Sequence, residues 1–207
     1  RETQGLQDKE PRSAAAPAAP RHVLPFSGHM LDPPDRSPPR FPADKVPQAA
    51  QRIADVLEQL GAGPRDIGLT QGACGGDLLF SAACRQRRVK LCWLQPFTEA
   101  AFIERSVTVC GGDWVDRYQA VRTTLAAPPR AAPEVLGSAP AGKNRDYAYE
   151  RCNLWLLYTA LAYGPDKLHL VCLWNGADSE GPGGTGHMAD EVKRRHGKVS
   201  WIDTRHL

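Results

Sequence analysis

Apolar and polar positions alternate along this chain in two rhythms, and the switches between them mark the elements. HVLPFSGH, from His22 to His29, is apolar until it runs out at Gly28 and reads as a strand, and the Pro-laden MLDPPDRSPPRFP after it is a loop. Beyond Asp44, an N-cap residue type, Val46, Ala49, Ile53, Val56, Leu57 and Leu60 recur at about 3.6 residues, which predicts an amphipathic helix stopped at Gly61 and Gly63. A short strand from Asp66 to Thr70 opens into QGACGGD, and Leu78, Leu79, Ala82 and Ala83 mark a second helix running to about Arg87. Val89 to Leu94 is the next strand, ended by Gln95 and Pro96, and Thr98 caps a helix from Glu99 to about Thr108. Leu154, Leu157, Tyr158 and Leu161 stripe a long helix that stops at Gly164 and Pro165. The nearly unbroken apolar run from Lys167 to Trp174 suits a strand covered on both faces. Met188 to Arg195 predicts a last helix, ended at Gly197, and VSWIDT a last strand.

Strands separated by helices require parallel pairing with crossovers, so the expected fold is α/β: a doubly wound, mainly parallel, Rossmann-like sheet of about five strands. Residues 1–21, rich in Ala, Pro and charge, read as a disordered tail or linker, and residues 22–207 as a single nucleotide-binding type of domain. A Pro-, Ala- and Gly-rich stretch near residues 126–146 is expected to be a mobile surface insert.

Composition narrows the partners. A net charge of +3, from 26 basic and 23 acidic residues, demands neither nucleic acid nor a membrane, and neither is expected as a partner. RQRR and KRRH close helices, where cations suit the dipole. No apolar run reaches the ~18 residues needed to cross a bilayer. The six cysteines show no CxxC pair and lie mostly in apolar segments, which favours reduced thiols and a cytoplasmic location. The chain starts at Arg1, which suits a piece of a longer protein fused to another domain. Trp155 and Leu156 on the long helix fit either a homodimer contact or the core.

In such sheets ligands bind beyond the carboxyl ends of the strands. There stand Ser27, Gly28 and His29; then Thr70, Gly72, Gly75, Gly76 and Asp77; then Asn175; and then Gly183, Gly184, Thr185, Gly186 and His187. Glycines opening a helix let unpaired N–H groups approach a phosphate, so these loops are candidate ligand-binding positions. Asp77 suits the positive end of the following helix or a ribose hydroxyl, and Asn153 either a ligand or a structural hydrogen bond. Neither GxGxxG after the first strand nor GxxxxGK[ST] is present, so hydrolysis of ATP by a P-loop is not expected. His29 and His187 lack a third ligand of suitable spacing, so no metal is expected, and no cofactor is implied.

PGGTGHMAD, from Pro182 to Asp190, resembles the PGGxGTxxE motif of the LOG-type (lysine-decarboxylase-like) phosphoribohydrolases and the wider SLOG superfamily, with Pro182, Gly183, Gly184 and Gly186 in register. QGACGGD and the strand ending in SGH are similar to that superfamily's earlier glycine-bearing loops. The resemblance implies a domain that binds a nucleotide-derived small molecule: a nucleoside phosphate, an ADP-ribose type or a cyclic nucleotide. Sensor-type members occur in bacterial signalling and defence proteins. The family's enzymes instead cleave the N-glycosidic bond of nucleoside monophosphates. For that alternative the resemblance implies Asp190 or Glu191 as the carboxylate, where the motif has Glu, and Arg151 as the phosphate clamp; His187 replaces the motif's Thr.

Overall fold

The computed structural model describes residues 18–132, 147–177 and 184–207. Its strands are β1 (Val23–Gly28), β2 (Ile67–Thr70), β3 (Lys90–Gln95), β4 (Arg130–Ala131), β5 (His169–Trp174) and β6 (Lys198–Asp203). They form one parallel, Rossmann-like sheet in the order β4-β3-β2-β1-β5-β6. The helices are α1 (Val46–Gln59), α2 (Gly76–Gln86), α3 (Glu99–Ser106), α4 (Trp114–Arg122), α5 (Tyr147–Leu161) and α6 (Thr185–Arg194).

Side chains of each strand alternate between two cores, because successive Cβ atoms point to opposite faces. Leu24, Phe26, Trp93, Val171 and Leu173 pack on one face against Ile53 and Leu57 of α1, Phe80 of α2 and Tyr118 of α4. Val23, Leu69, Leu94, Leu170 and Cys172 pack on the other against Leu156 and Leu157 of α5 and Met188 and Val192 of α6. The apolar run LHLVCLW is therefore shared out residue by residue between two helical layers. Leu156 lies in this core, whereas Trp155 is only partly buried, with the Arg130 guanidinium 5.6 Å from its ring centre.

Four features differ from the expectation. The sheet has six strands, not about five: the sixth, β4, pairs Arg130 and Ala131 with Leu94 and Gln95 inside the stretch expected to be a mobile insert. Two residues are too few to show any alternation in sequence. The remainder of that insert, 133–146, and positions 1–17 of the tail lie outside the described residues. Helix α4 is an addition: its buried stripe has only Trp114, Tyr118 and Val121, with Val115 and Ala120 off it among Asp, Arg and Gln. Helix α1 begins beyond Asp44, which falls within a preceding 3-10 turn (Ala43–Lys45) instead of capping the helix. Finally, Cys74 and Cys110 are joined as a disulfide, their Cα atoms 6.4 Å apart. The expectation of reduced thiols holds for buried Cys84, Cys152 and Cys172 and for half-buried Cys92, but not for that pair. Among the described residues no helix is long and apolar enough to cross a membrane.

The end of the presumed tail is tied to the sheet. The Asp66 carboxylate, fully buried before β2, accepts hydrogen bonds from Arg21 Nη2 at 2.9 Å, from the backbone N–H of His22 at 2.9 Å and from that of Gly63 at 2.8 Å. Burial alone would push this carboxyl up, but Arg21, Gly63 and His22 together outweigh it and hold it below the ordinary carboxylate value. Asp66→Ala is expected to lower stability by about 2–4 kcal/mol in urea unfolding at neutral pH. Because the folded state favours the ionised form, this contribution is present above ~3.9 and is lost as pH falls through the lower folded-state value. The gap between wild type and Asp66→Ala should therefore narrow in acid.

Candidate functional site

The sheet order places β1 beside β5, and the chain leaves these two neighbours for opposite faces: β1 leads to α1, β5 to α6. A crevice opens where the two paths part. It holds a cavity of about 410 Å³. Ser27, Gly28 and Met30 line it from the end of β1, Gln71 and Ala73 from the turn between β2 and α2, and Asp77 from the first turn of α2. Arg105 of α3, Tyr149, Glu150 and Asn153 of α5, and Gly184 and Thr185 at the start of α6 complete the wall.

Hydrogen bonds between elements hold this wall. Ser27 Oγ and Thr185 Oγ1 are 2.8 Å apart, joining β1 to the first turn of α6. Gln71 Nε2 donates to Asn153 Oδ1 at 2.7 Å, joining the glycine turn to α5. Ser106 Oγ and the Tyr149 hydroxyl lie 2.7 Å apart, and Phe97 meets the Tyr149 ring edge-on and carries the Arg105 guanidinium 4.8 Å from its centre. The disulfide adds a covalent tie between the glycine turn and the segment after α3, beside a hydrogen bond from the Cys74 N–H to the Ser106 carbonyl. Helix α6 starts with Gly184 in extended conformation as its cap, and the Met188 N–H donates to the Gly184 carbonyl. The N–H groups of Thr185, Gly186 and His187 precede that bond, at the positive end of the helix dipole.

Packing accounts for two glycines of the second turn. Gly75 has φ +87°, and a Cβ there would lie 2.6 Å from the Leu31 backbone nitrogen. Gly72 has φ +89°, and its Cβ would press on the Trp93 ring at 3.0 Å. Only glycine lets the chain after β1 cross so closely over the start of α2. Gly76, next to it, donates its N–H to the His29 carbonyl.

Asp77 Oδ2 accepts from the N–H groups of Gly72 at 3.1 Å and Ala73 at 3.2 Å, folding the turn onto its own helix. Burial raises the Asp77 carboxyl to about 6; the hydrogen bonds from Ala73 and Gly72 pull the other way without cancelling it. His29 is lowered to about 4, first by burial and then by the Arg40 charge, and its Nε2 accepts the Asn175 N–H at 3.3 Å. It is a neutral ring that clasps the ends of β1 and β5.

Of the positions expected from sequence, the cavity brings together Ser27, Gly28, Asp77, Asn153, Gly184 and Thr185. Thr70, Gly72, Gly75, Gly76, His29, Asn175, Gly186 and His187 lie in or beside the same loops but do not line it, and Gly183 lies outside the described residues. Asp190 is exposed, and Glu191 is buried in ion pairs with Arg194 and Arg195, with His187 Nε2 3.7 Å away. Arg151 is half-buried on α5 and does not line the cavity; the cation that does is Arg105. Gln71 and Ala73 belong to the glycine turn from Thr70 to Asp77 that the sequence marks as a loop; sequence reasoning missed Met30, Arg105, Tyr149 and Glu150. Tyr149 and Glu150 stand four and three residues before Asn153, so the helical period could have found them. No pattern points to Arg105, which depends on where α3 ends in space. Among the described residues no group of three or more His, Cys, Asp or Glu side chains could hold a metal ion.

No protein-family model and no curated protein matches the chain. Among solved structures, the X-ray structure of DNA processing protein A (DprA) from Streptococcus pneumoniae is similar at 11% identity and a TM-score of 0.47. The match covers 87% of this chain and 50% of that one, so this chain spans about half its length.

The raised carboxyl of Asp77 makes its contribution pH-dependent. A carboxyl with a folded value of about 6 and an unfolded value of ~3.9 stabilises the fold fully below the lower value, and the gain is lost as pH rises through the higher. His29 and His169, both lowered to about 4 chiefly by burial, act in the opposite sense, since their unfolded forms take up protons first. The measurable quantity is therefore a difference: from pH 7 to pH 4, wild type should gain about 2 kcal/mol over Asp77→Asn in paired urea titrations.

Proposed function

We propose that this Rossmann-like domain binds a nucleotide-derived small molecule in the β1/β5 crevice and acts as a sensor of that ligand. The observation that carries the reading is the first turn of α6. Its N–H groups at Thr185 and Gly186 and the Ser27 and Thr185 hydroxyls stand at the wall of a cavity large enough for a nucleotide-sized ligand. Phosphate oxygens sit at this end, where N–H groups and the helix dipole favour negative charge. The acidic end of the cavity, Asp77 and Glu150, repels phosphate and suits the hydroxyls of a ribose. Tyr149 and Met30 offer apolar surface to a base, and Arg105 stands within reach of a second phosphate. The motif resembling that of the SLOG superfamily, PGGTGHMAD, leads into this helix start and agrees with such a ligand.

The hydrolase alternative draws no specific support from the cavity, because Asp190, Glu191 and Arg151 do not line it. The test couples thermal shift to product release with nucleoside monophosphates, NAD, ADP-ribose and cyclic dinucleotides. The expected outcome is stabilisation without turnover, about 2.7 kcal/mol at a hundredfold excess over Kd, which is about 5–10 °C for a chain of this size. Thr185→Val should weaken the binding about tenfold by removing one hydroxyl at the phosphate end. Turnover would support the hydrolase instead, and the absence of a shift with every ligand would sink the reading.

A further inference from the structure

At the opposite edge of the sheet, a second cavity of about 310 Å³ lies where α2 ends, β3 begins and the chain leaves α4. Arg85, Arg88 and Lys90 line it together, with Val89, Leu91 and Ala126 as apolar wall, and none of its lining residues is acidic. Among the described residues, none of the three cations makes an ion pair with a carboxylate. Arg85 is anchored, donating from Nη1 to the Ala120 carbonyl of α4 at 2.9 Å. We propose that this pocket is a binding site for a small phosphate-bearing polyanion, distinct from the β1/β5 crevice.

A cation beside a helix C-terminus is ordinarily explained by the helix dipole, and Arg85, in the last turn of α2, fits that explanation. Arg88 and Lys90 do not, because both lie beyond the helix and turn into the same concavity as Arg85. Arg88 carries a further mark. Its φ is +59°, set by the helix-closing bonds from Arg88 N–H to Arg85 O and from Val89 N–H to Cys84 O. This is the position after a helix that glycine fills at least conformational cost. An arginine there keeps a strained backbone and gains only what its side chain supplies. Among the described residues no carboxylate pairs with these three exposed cations, and a multiply charged anion in the pocket they line meets favourable charge from each. Guanidinium forks match phosphate oxygens in pairs, with the ammonium of Lys90 as a point charge beside them.

The test uses inorganic tripolyphosphate as the probe and citrate as a carboxylate control, titrated calorimetrically. The titrations are run on wild type, on Arg88→Gly, on Arg88→Gly/Lys90→Gln and on Ser27→Ala/Thr185→Val, which disables the crevice. Expected is binding that the crevice variant keeps, that Arg88→Gly weakens about tenfold, that the double cation variant abolishes, and that outcompetes citrate. Since glycine suits the Arg88 backbone, Arg88→Gly should melt no lower than wild type, so loss of binding there is not loss of fold. Tripolyphosphate binding that is unchanged in Arg88→Gly/Lys90→Gln, or that disappears only in Ser27→Ala/Thr185→Val, would overturn the proposal. So would the absence of binding to wild type at millimolar probe, or citrate binding as tightly as tripolyphosphate.

Discussion

Strand β1 is the constraint on which the rest of the molecule depends. It is paired in parallel on both sides, with β2 through Val23 to Pro25 and with β5 through Phe26 to Gly28. Because both neighbours are parallel, each must be reached by a crossover, and the two crossovers run in opposite directions along the sheet. The chain therefore builds β2, β3 and β4 outward on one side before returning through α5 to lay β5 and β6 on the other. That reversal decides where a crevice can exist. It also explains why Val23, Leu24 and Phe26 are fully buried on alternate faces.

The crevice is shaped less by free loops than by loops under restraint. Asp77 draws the N–H groups of Gly72 and Ala73 back onto the start of α2, and the disulfide and the Cys74 N–H fasten the same turn to the end of α3. The Gln71–Asn153 and Ser106–Tyr149 bonds then carry the restraint across to α5. Ser27 and Thr185 close the circuit at α6. A wall held this way would cost the proposed ligand little to order. Its charges are divided, with carboxylates at Asp77 and Glu150 and donors at the α6 terminus and Arg105. Such a division would suit an asymmetric ligand better than a simple anion.

Much of this was legible in the residues, and the misses have definite causes. The stripe from Val46 to Leu60 and the run from Leu168 to Trp174 announce their elements, because burial against a layer imposes a period that no turn imitates. The glycines at 72 and 75 announced a turn, but their purpose did not show: Gly75 makes room for Leu31 and Gly72 for Trp93, partners 44 and 21 positions away along the chain. Strand β4 and helix α4 escaped because two residues carry no period and the three buried residues of α4 carry a faint one. The joining of Cys74 to Cys110 escaped because cysteine spacing without a fold does not fix which sulfurs meet.

The sequence by itself determined the alternation of strands and helices, the covering of the sheet on both faces and the gathering of glycine turns at one edge. Each follows from local periodicity and from the conformations open to glycine. Only the tertiary structure decided which side chains share a space. Asp190 and Glu191 stand close to Thr185 in sequence, yet one faces solvent and the other is buried with Arg194 and Arg195. Arg105, Tyr149 and Thr185 are far apart in sequence and line one cavity. Helical rotation sends near neighbours to different faces, and crossover connections bring distant ones together, so nearness along the chain does not measure nearness at the site.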